Sequence, residues 1–257
     1  MSDSLNITLV QSNVVWSNPS KNLEHYTTKL NKVNTDLIVL PEMFATGFCT
    51  TPSIVAETME GLSVLWMIDM AKKLNCAICG SLSIQENTKF YNRFIFVTPQ
   101  GIKATYDKKH LFSYGKEDQI YSAGKTNSTI NYKGWKIKPF ICYDLRFPVW
   151  SRNTDDYDLA LYVANWPAKR SFAWNQLLIA RAIENMSYVV AVNRIGKDNN
   201  NIDYKGDSKV INALGETLIN LKGGEHLSQI NIKKKHIKET RSKFGFLKDG
   251  DSFRLNK

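Results

Sequence analysis

Residues 139–148 read PFICYDLRFP, where an apolar run ends at Cys142 and a charged, proline-terminated turn follows. The run Trp135–Ile141 is typical of a strand, so Cys142 stands at the carboxyl end of that strand. Cysteine is among the residues most often buried in protein cores, and a strand end is an unusual position for it. Cys142 is therefore either a buried thiol or a nucleophile held at the end of a strand.

Predicted strands and helices alternate through the rest of the chain. Helices are predicted over Lys21–Asn34, Leu62–Leu74 and Ser171–Asn185, and the apolar residues of the last lie nearly all round it, which predicts burial on more than one side. This alternation predicts a layered α/β protein with helices outside β-sheet. The chain has 257 residues, 43% hydrophobic content and no internal repeat, so we expect a single domain, residues 1–257. The predicted strands are Asn6–Val10, Leu37–Leu40, Cys76–Ile84, Arg93–Val97, Ile102–Tyr106, Trp135–Ile141, Leu159–Val163, Tyr188–Asn193, Lys209–Ile211, Thr217–Leu221 and Leu227–Ile232.

The composition predicts a soluble cytoplasmic protein. The chain contains no run of eighteen apolar residues, and its start, MSDSLNITLV, lacks the features of a secretory signal. Four cysteines are too few for a disulfide scaffold and should stay reduced in the cytoplasm. The pair Cys76 and Cys79 could be a redox or half-zinc motif, but no second metal-binding pair exists, so we expect core cysteines.

The net charge of +10 does not by itself indicate nucleic acid. The 34 Lys and Arg residues are spread along the chain with 24 acids among them. Only the segment INIKKKHIKETRSKF is locally dense, and Ile232, Ile237 and Phe244 interrupt it as a partly buried face would. We expect a solvated basic surface, with neither a nucleic-acid nor a membrane partner.

Ligands of layered α/β proteins bind beyond the carboxyl ends of strands, where loops converge. Glu42, Lys109, Cys142 and the segment 164–167 all occupy such positions. A thiol acts as a nucleophile only as thiolate, which needs a base or a positive neighbour. Of the four histidines only His110 is suitably placed, and Glu42 and Lys109 are the better partners.

Three segments carry a family resemblance, in the family's order along the chain: LPEMF (40–44), YDKKHLF (106–112) and ICYDLRFP (141–148). They resemble the signature blocks of the nitrilase, or carbon–nitrogen hydrolase, superfamily. The similarity extends through Asn165–Ala168, Ala180–Asn185 and Gly206–Ser208. One departure is Phe140, where many relatives have glycine.

The resemblance implies a four-layer α-β-β-α sandwich that pairs into a homodimer or larger homo-oligomer. It implies that Glu42 is the general base, Lys109 the catalytic lysine and Cys142 the nucleophile. It also implies a second glutamate, and Glu117 has the required spacing before Gly124.

The chemistry of these side chains fits amide hydrolysis. Glu42 would take the proton of Cys142, and the thiolate would attack the carboxamide carbon. The oxyanion needs donors, for which Lys109 and the backbone N–H of Tyr143 are candidates. Ammonia would leave, a thioester would remain and water would release the acid. No metal or organic cofactor is needed.

Segments 43–48, 146–153 and 165–170 look most similar to the bacterial branch of ω-amidases, which hydrolyse the terminal amide of 2-oxoglutaramate and 2-oxosuccinamate. Such substrates carry a remote carboxylate, so we expect a cation in the pocket. Asn165, Trp166 and Arg170 are the candidate substrate-binding residues. Arg146 is expected to brace the turn through Asp144 or another acid instead.

Three alternatives stay open on the sequence alone. The first is an amidase or N-carbamoyl hydrolase of the same superfamily with another substrate, because fold does not fix substrate. The second is a binding or adaptor module that retains the fold. The third is a redox protein that uses Cys76 and Cys79.

Overall fold

Two β-sheets lie face to face in the structure, a computed structural model that describes residues 3–254. The first sheet has six strands in the order β13-β1-β2-β3-β4-β5. Strands β1, β2 and β3 are parallel, and β4, β5 and β13 join antiparallel. Its strands are β1 (Ser4–Gln11), β2 (Leu37–Val39), β3 (Ala77–Glu86), β4 (Lys89–Thr98), β5 (Gly101–Asp107) and β13 (His226–Lys233).

The second sheet has seven strands, with β10-β11-β9-β8-β7-β6 in order and β12 paired to β11. Its centre, β7-β8-β9, is parallel. Its strands are β6 (Ile130–Tyr132), β7 (Trp135–Ile141), β8 (Leu159–Ala164), β9 (Tyr188–Asn193), β10 (Ile195–Lys197), β11 (Asp203–Ile211) and β12 (Thr217–Lys222).

Helices cover the outer faces of both sheets. Apolar residues of α1 and α2 pack on the first sheet, and those of α4 pack on the second. A separate core fills the space between the sheets. The layers are therefore α-β-β-α, as the resemblance implied. The helices are α1 (Pro19–Leu30), α2 (Leu62–Leu74), α3 (Pro148–Ser151), α4 (Ser171–Asn185) and α5 (Lys234–Lys243).

The two-residue period of strands explains how one strand serves two cores. Leu37 and Val39 point into the core between the sheets, whereas Ile38 points outward to α1 and α2. In the second sheet Ile141 points inward and Phe140 outward. Both faces of these central strands are buried, which is why they read as continuous apolar runs.

Every predicted strand and helix has a counterpart in the structure, but β11 begins at Asp203 rather than Lys209, and the prediction lacks β6, β10, α3 and α5. Two predicted helices also differ from the structure. α1 ends at Leu30 rather than Asn34, and Val33 still packs against the core, so the apolar spacing runs past the helix. On α4 only one side is buried in this chain: Trp174 is inaccessible, whereas Phe172 is 79% and Ile183 51% exposed.

The C-terminal basic segment has the predicted character. Ile232 and Ile237 are buried, while the side chains of Lys235 and Lys238 are largely exposed. None of the helices within residues 3–254 is both long enough and apolar enough to cross a membrane.

Candidate active site

Four strand ends meet at one cavity of about 240 Å³. Glu42 follows β2, Lys108 follows β5, Cys142 follows β7 and Asn165 follows β8, and all four side chains line the cavity. Two of these strands belong to each sheet. The convergence of strand ends predicted from the sequence is therefore present.

Cys142 stands on a sharp turn out of β7. Its φ is +44°, a left-handed conformation that costs a non-glycine residue of order 1–3 kcal/mol. Asp144, fully buried, holds this turn: its carboxylate accepts hydrogen bonds from Ile141 N (3.0 Å) and from the Tyr106 hydroxyl (2.7 Å). The surrounding structure thus fixes the strained residue and presents its thiol to the cavity.

Lys108, not Lys109, is the lysine of this site. Its Nζ lies 3.0 Å from Glu42 Oε1 and 2.9 Å from Glu117 Oε2, and all three side chains are almost inaccessible. The prediction of Lys109 as catalytic lysine and oxyanion donor is wrong in position. The Lys109 ammonium lies 5.6 Å from the centre of the Trp150 ring and lines a different cavity, of about 620 Å³.

The two-residue period of β5 explains the difference between the two lysines. Tyr106 is buried at the end of that strand, and Lys108, two residues on, points the same way. The Lys109 side chain instead lies beside Trp150, outside this cavity. Lys108 can be identified because it lies two residues after the buried Tyr106. Its position relative to His110 does not identify it.

Glu117 joins the cluster as predicted. It begins a short 3₁₀ turn, Glu117–Gln119, and its carboxylate accepts hydrogen bonds from Lys108 Nζ and from the backbone N–H of Phe112 (2.6 Å). Burial raises the pKa of Glu117, the Lys108 charge opposes this, and the charge of Glu42 adds to it.

The charges in this cluster fix the resting protonation of its lysine and thiol. Burial alone would lower the pKa of Lys108, but Glu117 and Glu42 outweigh burial and raise it, so the lysine stays an ammonium. Burial, with the adjacent Glu42 carboxylate, raises the pKa of the Cys142 thiol well above its usual range, against the opposing charge of Lys108. The thiol is therefore protonated at neutral pH and needs a base to become a nucleophile.

Asn92, on β4, is a site residue that the sequence did not reveal. Its fully buried side-chain amide donates to Glu42 Oε1 (2.7 Å) and to Glu117 Oε1 (3.2 Å). An asparagine in the middle of an apolar strand has no distinguishing local pattern. Only the pairing of β3, β4 and β5 brings it to the two glutamates.

Asn165 and Trp166 follow β8 and line the cavity. The backbone N–H of Asn165 donates to Glu42 Oε2 (2.6 Å), and its side chain donates to the Glu42 carbonyl (3.0 Å). Trp166 lines the cavity and donates its indole N–H to the Arg170 carbonyl (2.8 Å). Asn165 thus orients Glu42 as well as facing the cavity.

Two arginines stand at the cavity. Arg170 lies over the Phe112 ring at 5.0 Å, and Arg146 lies over the Trp166 ring at 5.2 Å. Arg146 was expected to brace the turn through Asp144 or another acid. The Asp144 carboxylate instead accepts from Tyr106, His110 and Ile141, and no ion pair of Arg146 is found within residues 3–254. Tyr143 also lines the cavity, with its ring edge-on to Phe112 at 5.1 Å.

The remaining candidates lie outside the cluster. His110 Nδ1 is 2.8 Å from Asp144 Oδ1 and its ring stacks on Phe147, so it supports the turn rather than the thiol. Cys76 and Cys79 are both fully buried and belong to different cores, which confirms them as core cysteines. Phe140 is buried in the outer core and stacks on Tyr162 at 4.8 Å.

A strand-end thiol thus shares one small cavity of an α-β-β-α sandwich with a carboxylate and an ammonium, a set of groups chemically able to hydrolyse an amide. A family model described as carbon-nitrogen hydrolase matches residues 6–242. The chain therefore belongs to the carbon–nitrogen hydrolase family, the superfamily whose signature blocks it resembles.

Individual relatives agree with this assignment. The chain is 44% identical over 254 residues to omega-amidase YafV of Escherichia coli (strain K12), with 98% of each chain covered. It is 34% identical over 220 residues to 2-oxoglutaramate amidase of Bacillus subtilis (strain 168), covering 82% of this chain and 84% of the relative. A crystal structure of a CN-hydrolase superfamily protein from Xanthomonas campestris, with an arsenic adduct in its active site, superposes with a TM-score of 0.97 at 41% identity, covering 99% of this chain and 100% of the other.

Proposed function

We propose that this chain is an ω-amidase, which hydrolyses the terminal amide of α-keto acid amides such as 2-oxoglutaramate and 2-oxosuccinamate to the dicarboxylic keto acid and ammonia. The observation that carries the proposal is the meeting of Glu42, Lys108 and Cys142 at one small cavity. The omega-amidase and 2-oxoglutaramate amidase names of relatives at 44% and 34% identity support the substrate class.

The reaction begins with proton transfer from the Cys142 thiol to Glu42. The sulfur then bonds to the carboxamide carbon, and the carbonyl electron pair moves to oxygen. Lys108 and the backbone N–H of Tyr143 are the candidate donors to this oxyanion, and loss of one such donor typically costs about 3–4 kcal/mol of barrier.

Collapse of the tetrahedral intermediate breaks the carbon–nitrogen bond. Glu42 delivers its proton to the nitrogen, ammonia leaves and a thioester remains at Cys142. Glu42 then takes a proton from water, the hydroxide attacks the thioester carbon, and the proton returns to the sulfur as the acid is released. Every proton is thus carried by Glu42.

Arg170 and Arg146 suit a substrate with a carboxylate remote from the amide. Both guanidinium groups line the cavity that contains Cys142. A guanidinium binds carboxylate strongly and in a directed way, whereas a neutral amide gains little from it. A cavity of about 240 Å³ also suits a small acid amide better than a peptide.

The decisive experiment measures ammonia release from 2-oxoglutaramate, glutamine, simple aliphatic amides, N-carbamoyl amino acids and nitriles. The proposal expects the highest kcat/KM with 2-oxoglutaramate. Preference for an N-carbamoyl amino acid or an uncharged amide would contradict the ω-amidase assignment and leave a hydrolase of the same family. Absence of turnover on the whole panel would favour a binding module.

The thioester step has a test of its own. Mass spectrometry of enzyme quenched during turnover should find the keto acyl group on the peptide that contains Cys142, and Cys142→Ala should lack it.

We further propose that residues 1–257 form one carbon–nitrogen hydrolase domain that works in the cytoplasm. The exposed apolar side of α4, with Phe172 and Ile183, supports at least a dimer, which light scattering at micromolar concentration tests.

A further inference from the structure

We infer that Asn92 is a positioning residue for Glu42. Its hydrogen bond engages one carboxylate oxygen, Oε1, and leaves the other, Oε2, to accept the proton of Cys142. The inference rests on the proposed chemistry at Cys142. It concerns the hydrogen bonds behind Glu42 rather than the identity of the substrate.

The first observation is that Asn92 touches all three charged members of the cluster. Its Nδ2 donates to Glu42 Oε1 at 2.7 Å and to Glu117 Oε1 at 3.2 Å. Its backbone carbonyl accepts from the backbone N–H of Lys108 at 2.9 Å. A single residue of β4 therefore contacts both carboxylates and also fixes the main chain that bears the lysine.

The orientation of the Asn92 amide is determined by its other end. Asn92 Oδ1 accepts the Ser81 hydroxyl (2.9 Å), and the Ser81 oxygen in turn accepts the backbone N–H of Met43 (3.0 Å). A flipped amide would turn its carbonyl oxygen toward two carboxylates, which is repulsive. These hydrogen bonds connect Asn92 through Ser81 to the backbone of Met43, the residue after Glu42. Asn92 therefore holds both the Glu42 side chain and the backbone next to it.

The second observation is how the donors are distributed over the Glu42 carboxylate. Oε1 accepts from Asn92 and from Lys108 Nζ, so both of its lone pairs are engaged. Oε2 accepts the backbone N–H of Asn165, and the Cys142 thiol is hydrogen-bonded to the same carboxylate. The proton of Cys142 therefore arrives at Oε2.

The charge balance explains why a neutral donor is needed. Two carboxylates and one ammonium leave a net charge of −1 in a buried cluster, and Lys108 Nζ donates three hydrogen bonds to these carboxylates. An uncompensated buried charge is costly and is relieved by taking up a proton. The two donor hydrogens of Asn92 stabilise the ionised carboxylates without adding a charge. Their removal should destabilise the ionised form of Glu42, which is the form that takes the proton of Cys142.

The test uses Asn92→Asp, which keeps the side-chain volume, and Asn92→Ala, which removes the side chain. Hydrogen bonds to charged groups of this kind correspond to a loss of about ten- to a hundredfold in kcat. KM should stay near the wild-type value, because Asn92 lies behind Glu42 and not on the cavity wall. The acidic limb of the pH profile of kcat/KM should move upward by about one pH unit.

A second readout needs no substrate. The rate of Cys142 alkylation by iodoacetamide, followed against pH, should shift in the same direction in both variants. The other three cysteines are buried, so Cys142 is the thiol that reacts. This measurement stands even if keto acid amides prove not to be the substrate, which separates the failure of this inference from that of the proposed function.

Asn153→Asp is the matched control. Asn153 is also a buried asparagine whose amide donates two hydrogen bonds, but to the backbone carbonyls of Tyr157 and Asn185. It should lose stability without a shift of either pH profile. Wild-type pH profiles in both Asn92 variants, or shifts equal to that of Asn153→Asp, would overturn the inference. If Asn92→Ala does not fold, Asn92→Leu, which keeps most of the side-chain volume and adds no charge, takes its place in both measurements.

Discussion

Lys108 and Lys109 are neighbours in the chain, but their ammonium groups lie in different cavities. The Lys108 ammonium is enclosed by Glu42 and Glu117, while that of Lys109 lies over Trp150 in the second cavity. An ammonium serves as an oxyanion donor only where the reacting carbon sits. Two lysines that follow each other at the end of β5 therefore have different roles: Lys108 is a candidate catalytic residue, and Lys109 is not.

Substitution of the two lysines by methionine should therefore give opposite results. Lys108→Met is expected to lower kcat at least about a hundredfold, because an oxyanion donor is lost and two buried carboxylates remain without their cation. Lys109→Met should keep kcat near the wild-type value and lose about 0.5–1 kcal/mol of stability with the contact to Trp150. Steady-state kinetics and chemical denaturation of both variants measure this, and a severe loss of kcat in Lys109→Met would refute the assignment.

The sequence predicted the elements of the fold better than the contacts of the site. The alternation of elements predicted a layered α/β protein, and the family resemblance implied the α-β-β-α layers. Glu42 and Cys142, from two of the motifs, line the cavity, and Glu117, identified by its spacing before Gly124, joins them through Lys108. Strand ends are local features, which a sequence pattern reveals. Asn92 could not be found in this way, because its role arises only when β3, β4 and β5 pair.

The arginines show a second limit of the sequence. Proximity in the chain suggested that Arg146 would pair with Asp144, but that carboxylate is occupied by Tyr106, His110 and the backbone of β7. Hydrogen-bond donors that come from distant segments are invisible to local spacing. Arg146 instead reaches the cavity through its contact with Trp166.

The left-handed conformation of Cys142 should be measurable as strain. Cys142→Gly is expected to be more stable than Cys142→Ala by about 1 kcal/mol, because alanine is disfavoured at a φ of +44° whereas glycine is not. Both variants lack the thiol, so the comparison isolates the backbone. Thermal or urea denaturation gives the difference.

Ala160→Gly provides the control for this comparison. Ala160 lies buried within β8, where glycine should instead destabilise the protein relative to alanine. The same sign of change at residues 142 and 160 would argue against strain at Cys142.

Glu225 should make the stability of the protein depend on pH in the acidic range. Burial alone would raise the pKa of Glu225, but hydrogen bonds from Lys29, the backbone N–H of Asn13 and Ser12 lower it to about 2, from an ordinary value of 4.5. A lowered pKa contributes stability that is present above pH 4.5 and is lost as the pH falls through 2. Glu225→Gln should therefore cost roughly 1 kcal/mol at neutral pH, allowing for partial exposure, and almost nothing near pH 2.

Urea denaturation of wild type and Glu225→Gln between pH 7 and pH 2.5 tests this. The difference in unfolding free energy should narrow as the pH falls. Glu60→Gln, at an exposed loop position, should show little difference from wild type at any of these pH values. A constant difference for Glu225→Gln over the whole range would contradict the assigned pKa.

Arg170 should distinguish charged from uncharged substrates. Arg170→Met is expected to lower kcat/KM for 2-oxoglutaramate by about ten- to a hundredfold, since a hydrogen bond between charged groups is lost, and to leave an uncharged aliphatic amide nearly unaffected. Lys169→Met is the matched control, because Lys169 is exposed in the same turn and does not line the cavity. If Arg170→Met lowered kcat/KM equally for both substrates, the residue would support the shape of the site through Phe112 rather than bind a carboxylate. Arg146→Met, measured in the same way, then reports whether the second guanidinium shares the carboxylate: a loss confined to the charged substrate means that it does.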